Sequence, residues 1–135
     1  MKIIFATEFG ECAVTSEIIN SIQNKDTVSP TAFQNSVHNT AASYLSIQTG
    51  NKNEILTVSD FGLSSQSALK VGAIKALSGE ETLIACVDSL DFRQIDEMNS
   101  CGLEFLECGS ALVVKATNKN PDIELKRKKY KGCLE

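Results

Sequence analysis

The residues that could do chemistry gather in a few places. Ser59-Asp60-Phe61-Gly62-Leu63-Ser64-Ser65 follows a short apolar run and precedes a segment with helical spacing. A turn from strand to helix presents backbone amides at a helix N-terminus, which suits an oxyanion or a carboxylate. Ser64 could be acylated there, given a base within hydrogen-bond reach. Serines at a helix start more often simply cap it, and that is the favoured reading of Ser64 and Ser65. The one histidine, His38, sits between Val37 and Asn39. Its expected place is mid-helix, where a lone histidine is more often a packing residue than a catalyst. Asp88, Asp91, Asp96 and Glu97 lie close in sequence, but neither a histidine nor a glycine-spaced loop accompanies them. They match no metal cage, and no metal or cofactor is expected. Cys101 and Cys108 are too far apart for a zinc pair. Five cysteines without C-x-x-C spacing point to reduced thiols and a cytoplasmic protein.

Around these residues the chain alternates apolar strands with helices. Lys2 to Thr7 is continuously apolar at Ile3, Ile4, Phe5 and Ala6, as in a parallel strand covered on both faces. Thr15 or Ser16 caps a helix running to Gln23, with Val14, Ile18, Ile19 and Ile22 on one side. Pro30 opens a helix over 31–48, with Phe33, Val37, Ala41 and Leu45 at helical spacing. Ala41, Ala42 and Ser43 form a small patch that allows another helix to come close. Ile55, Leu56 and Val58 form a short strand. Leu69, Gly72, Ala73, Ala76 and Leu77 give the next helix a narrow packing stripe. Thr82 to Val87 and Ala111 to Val114 are further strands, with a short helix from Arg93 to about Cys101 between them. An edge strand could lie at Ile123 to Leu125. The order implies an α/β sandwich, with one domain over 1–121 and a basic tail over 122–135.

The chain has 135 residues, 42% hydrophobic and 22% charged, with a net charge of −4. That is the balance of a globular domain large enough to bury a core. It argues against nonspecific nucleic-acid binding, and no apolar run approaches a membrane span. Charge is segregated: Lys126, Arg127, Lys128, Lys129 and Lys131 are basic, and without them the rest stands at −9. Such a tail is a solvated end or a docking patch for an acidic partner.

The stretch S-P-T-A-F-Q-N-S-V-H-N-T-A-A-S-Y-L-S-I, Ser29 to Ile47, resembles the N-terminal domain of β-ketoacyl synthase-like proteins of the thiolase-like superfamily. These include the chain-length factors that accompany ketosynthases in aryl-polyene and flexirubin-type pigment pathways. The resemblance implies a thiolase-like half, an α-β-α sandwich around a mostly parallel sheet of four to five strands. Laid on the ketosynthase pattern V-S-T-A-C, this chain reads Val58-Ser59-Asp60-Phe61-Gly62, so the nucleophilic cysteine falls on Gly62. Working condensing enzymes draw two histidines, or a histidine and an asparagine, from a second half. This chain covers one half and has a single histidine.

The resemblance therefore implies a noncatalytic, chain-length-factor-like subunit, with Ser59, Gly62, Ser64 and Ser65 lining the turn beside an acyl pocket. It implies a homodimer, or a heterodimer with a full-length ketosynthase. The expected interface is Val37, His38, Asn39, Ala41, Ala42, Tyr44 and Leu45, with the strand at 54–58 extending the sheet across a two-fold axis. Acyl carrier proteins are acidic and work with this family, so the docking alternative for the basic tail would take an acyl carrier protein. Two alternatives stand beside this: a small acyl-binding or acyl-transfer enzyme using Ser64 or a cysteine elsewhere, and a self-associating structural remnant.

Overall fold

A computed structural model describes residues 1–102, 105 and 107–117. The basic tail, the edge strand expected at Ile123 to Leu125, Leu106 and Cys133 lie outside the described residues.

Nine elements follow one another: β1 (Lys2–Ala6), α1 (Cys12–Gln23), α2 (Pro30–Asn35), α3 (Thr40–Thr49), β2 (Ile55–Val58), α4 (Ser64–Ala76), β3 (Thr82–Asp88), α5 (Phe92–Ser100) and β4 (Cys108–Val114). The four strands form one sheet in the order β2-β1-β3-β4. β1 pairs in parallel with β2 and β3, and β4 runs antiparallel to β3. β1 sits at the centre, which is why it reads as an unbroken apolar run. Its alternate side chains serve opposite faces. Ile4 and Ala6 join Ala68 of α4 and Ile84 of β3 in one core cluster. Phe5 joins Ala42 of α3 and Ala85 of β3 in the other. The sheet is thus covered on both sides, by α4 on one face and α3 on the other.

α4 approaches the sheet closely because of what it lacks. Its buried residues are Ser64, Ala68, Gly72 and Ala76, one per turn and all small. A Cβ built on Gly72 would stand 2.4 Å from Cδ1 and 2.7 Å from Cγ1 of Ile84. The expected stripe is therefore right at Gly72 and Ala76 but wrong at Leu77, which is 77% exposed. Leu77 is the C-cap residue of α4, past the end of the packed stripe.

The helix expected over 31–48 is two helices. α2 ends at Asn35, and Ser36 to Asn39 form a turn before α3 begins at Thr40. At the break a side chain competes for the backbone: Ser36 Oγ donates to the Phe33 carbonyl at 2.8 Å. Short polar side chains interrupt helices in this way. His38 consequently lies in a turn, not mid-helix. α1 also begins earlier than expected, at Cys12. Thr15 does not cap it but donates back to the Glu11 carbonyl at 3.0 Å. Ile19 and Ile22 of its expected apolar face are 50% and 62% exposed. Among the described residues no helix is long and apolar enough to cross a membrane.

Two predictions follow from this packing. In an exposed helix, replacing glycine by alanine stabilises by about 1 kcal/mol. At Gly72 the added methyl meets the wholly buried Ile84, and overpacking costs about 1–3 kcal/mol. Gly72→Ala should therefore lower the thermal midpoint, with Gly72→Val lowering it further; an unchanged or raised midpoint would contradict the close approach. The second concerns Lys75, whose Nζ reaches both carboxylate oxygens of Glu54 at 2.6 and 2.7 Å and so joins the end of α4 to the start of β2. That hydrogen bond holds the Glu54 carboxyl below its ordinary value. A depressed carboxyl stabilises the fold above its unfolded pKa, and this contribution is lost as pH falls through the lowered value. The difference in thermal midpoint between the wild type and Lys75→Met should be present at neutral pH and vanish in acid.

Candidate active site

The carboxyl ends of β1, β2 and β3 lie side by side, and the loops that leave them form the site. In open α/β sheets this is where ligands bind. β3 ends at Asp88. Its Oδ1 accepts from Thr7 Oγ1 at 2.7 Å, from the Glu8 amide at 2.8 Å and from the Phe9 amide at 3.0 Å. The Thr7 hydroxyl in turn accepts from the Gly10 amide at 2.8 Å. One aspartate oxygen thereby fixes the whole turn after β1. Phe9 adds an edge-to-face ring contact with Phe105 at 5.5 Å.

The fixed turn aims Glu8 at the loop after β2. One Glu8 oxygen accepts from the Gly62 amide and the other from the Ser64 hydroxyl. The Ser64 Oγ also accepts from the Asp60 amide at 2.8 Å. Asp60 in turn accepts from Ser67 Oγ. Ser64 is the first residue of α4 and is 5% exposed. It does not cap the helix. Leu63 stands at the cap without a side-chain bond, and Ser65 and Ser59 are exposed. The amides of this turn suit an oxyanion or a carboxylate, and that of Gly62 is engaged by a carboxylate of the same chain, at the helix end where negative charge is best stabilised.

His38 does not reach this turn. It lines a separate cleft of about 360 Å³ between the ends of β1 and β3, together with Phe5, Gly10, Glu11, Ala41 and Leu90. The imidazole lies against Gly10, where a Cβ would stand 3.0 Å from the ring. Ser64, buried and bonded on both sides, has a carboxylate beside it and no imidazole.

The residues expected at an interface divide. Ala42 is 1% exposed and packs on Phe5 and Ala85 inside its own chain, with Ala41 and Leu45 against the same cluster. These three pack toward the sheet because α3 covers it, so Ala42 is not offered to a partner. Val37, Asn39 and Tyr44 line an outer depression of about 270 Å³ with Thr40 and Ile47. β2 pairs only with β1 among the described residues, so its outer edge is unpaired there.

Glu8 was not singled out by sequence, and Asp88 was weighed only as a metal ligand. The available signal was an acidic residue just beyond each of two buried strands. Asp88 is set apart from Asp91, Asp96 and Glu97 by its bonds to the turn after β1. Asp91 does cap α5, in a capping box with Gln94. Among the described residues no group of three histidine, cysteine, aspartate or glutamate side chains is placed to hold a metal ion.

Glu8→Gln keeps one acceptor oxygen for two donors and should cost about 1–2 kcal/mol. Asp88→Ala strips three donors, one of them on the buried Thr7, and should cost more. Because Asp88 positions Glu8 through its own amide, the double variant should lose less than the sum, by at least about 0.5 kcal/mol. Denaturant unfolding of the four proteins measures this, and strict additivity would mean that the two carboxylates act independently.

The geometry can be set beside known proteins. The family described as beta-ketoacyl synthase, N-terminal domain, matches residues 1–129. No curated protein matches the chain. Among solved structures, the ketosynthase ApeO in complex with its chain length factor ApeC from Xenorhabdus doucetiae is similar with a TM-score of 0.76 and 20% identity, covering 86% of this chain and 49% of that one. The ishigamide ketosynthase/chain length factor is similar with a TM-score of 0.63 and 15% identity, covering 73% of this chain and 29% of that one. The chain spans about half the length of the first and under a third of the second, and at these identities the likeness is one of fold. With a family match over nearly all of its length, this protein belongs to the β-ketoacyl synthase N-terminal domain family and has the thiolase-like fold.

Proposed function

We propose that this protein is a noncatalytic, ketosynthase-like accessory subunit in polyketide- or fatty-acid-like synthesis, of the chain-length-factor kind, with a pigment pathway as its setting. One observation carries the reading. Where the family pattern puts a nucleophilic cysteine, this chain has Gly62, and the Gly62 amide is hydrogen-bonded to Glu8. A condensing enzyme needs a nucleophile and free donors for the developing oxyanion at that point. Here the nucleophile is missing and a donor is engaged. Ser64 has a carboxylate base beside it in Glu8, but it is 5% exposed and its oxygen also accepts from the Asp60 amide, so burial keeps it from an acyl thioester.

An accessory subunit acts by pairing, with a catalytic ketosynthase or with a second copy. The unpaired edge of β2 and the outer depression over Val37, Asn39 and Tyr44 supply a surface for that. Both solved relatives are named as ketosynthase and chain-length-factor assemblies, which supports the same kind of partner here. An acidic acyl carrier protein is the partner that would suit Lys126, Arg127, Lys128, Lys129 and Lys131. The cytoplasm, where acyl carriers and reduced thiols occur together, is the compartment proposed.

The test is incubation of the purified protein with acyl and malonyl thioesters, followed by intact-mass measurement. The expected result is no covalent acyl adduct and no condensation product. An adduct or turnover that disappears when Ser64 or one cysteine is replaced would establish the acyl-transfer alternative instead.

A further inference from the structure

The corner at the start of α4 already holds an anion, and that anion belongs to the chain. The two oxygens of the Glu8 carboxylate are met separately, one by the Gly62 amide and the other by the Ser64 hydroxyl. Ser64 is 5% exposed, and its oxygen accepts from the Asp60 amide at 2.8 Å, which leaves its hydrogen for Glu8. Both donors sit at the N-terminus of a helix of 13 residues, where negative charge is favoured. A buried hydroxyl, an amide beside it and a carboxylate seated on both make a binding site, not only a helix end.

The chemistry of this site is narrow. Two neutral donors, one for each oxygen, match a planar carboxylate. Among the described residues no lysine or arginine pairs with Glu8, since the ion pairs of Lys2, Lys75 and Lys115 go to Glu80, Glu54 and Glu81. Another charge tied into the corner is negative: the Asp60 carboxylate, which accepts from Ser67 Oγ. A dianion such as phosphate would meet that charge with no cation to offset it. A monoanion with two charge-assisted hydrogen bonds is stabilised.

The occupant is also supported from behind. Asp88 Oδ1 accepts from the Glu8 amide at 2.8 Å and from the Phe9 amide at 3.0 Å, so the backbone is fixed before the side chain reaches across. A tethered group meets its site at an effective concentration on the order of millimolar even through a flexible linker, and preorganisation adds to that.

We propose that the corner made by the Gly62 amide and the Ser64 hydroxyl is a monocarboxylate site that this chain fills with its own Glu8, an internal ligand that shuts free carboxylates out. The proposal rests on the reading of this turn as closed, and it names the chemistry of what closes it. Glu8 is then a replaceable ligand and not merely a strut.

The experiment is chemical rescue of Glu8→Ala in the full chain, with acetate as the probe. The truncation removes the carboxylate and leaves both donors. Thermal midpoints are followed against rising acetate, with chloride, neutral acetamide and phosphate as comparisons. The Glu8→Ala midpoint should rise saturably with acetate, as binding to the folded state alone requires, and at least twice as far as with any comparison. Its Gly62 amide resonance should move toward the wild-type position over the same range. The wild type and Glu8→Gln, whose corners are filled, should gain no more from acetate than from chloride. Adding Ser64→Ala to Glu8→Ala should remove the acetate-specific rise. If Glu8→Ala is unfolded in chloride, recovery of its near-ultraviolet circular dichroism in acetate reads the same equilibrium. Acetate that does no more for Glu8→Ala than chloride or acetamide, or that raises the wild type equally, would overturn the proposal, as would phosphate rescuing as well as acetate. The noncatalytic reading survives each of those results, since it falls only to an acyl adduct or turnover by the wild-type protein.

Discussion

Two carboxylates in series hold the working end of this molecule together. Asp88, at the end of β3, gathers three donors from the turn after β1. That turn carries Glu8, which reaches the turn after β2. The loops at the carboxyl ends of three parallel strands are thus joined by side chains, where backbone pairing has already stopped. Charge-assisted hydrogen bonds are the stronger kind, and the second carboxylate also sits at the N-terminus of α4, where the helix dipole favours it. The turn at Gly62 and the first residue of α4, Ser64, are both tied to this relay.

The relay bears directly on chemistry. Small residues facing the sheet let α4 pack close to Ile84, so the strand-turn-helix of a condensing enzyme is kept as a frame. What occupies the frame is different. In the function proposed above, the nucleophile position falls on Gly62, whose amide is bonded to the Glu8 carboxylate of the same chain. A site rebuilt in this way has its interactions satisfied internally, while Phe61 at its tip stands exposed among Ser59, Asp60 and Ser65.

Much of this architecture was legible in the sequence because burial writes itself plainly. β1 and β3 are covered on both faces and read as unbroken apolar runs. The thiolase-like order followed from Ser29 to Ile47 and from the strand-turn-helix after Ile55. Other features were illegible for physical reasons. The break between α2 and α3 turns on Ser36 competing for the Phe33 carbonyl, and hydrophobic spacing carries no trace of that competition. Phe33, Val37, Ala41 and Leu45 fit one helix perfectly well by period. Glu8 and Asp88 are eighty residues apart and meet only because β3 lies next to β1, an order that no local pattern encodes. Ala42 read as a contact patch because small residues suit both a helix interface and a close approach to the chain's own sheet. The sheet won, through Phe5 and Ala85.

The central claim is that the nucleophile turn is closed by the protein's own Glu8, and the amide of Gly62 reports on it most directly. Nuclear magnetic resonance of the nitrogen-labelled protein can follow that amide in the wild type and in Glu8→Gln, with and without an acyl thioester. The account predicts a Gly62 proton that is hydrogen-bonded and protected from exchange in the wild type, strongly shifted by Glu8→Gln, and indifferent to the thioester. A Gly62 amide that exchanges freely with water, ignores the Glu8 substitution and moves when the thioester is added would contradict it.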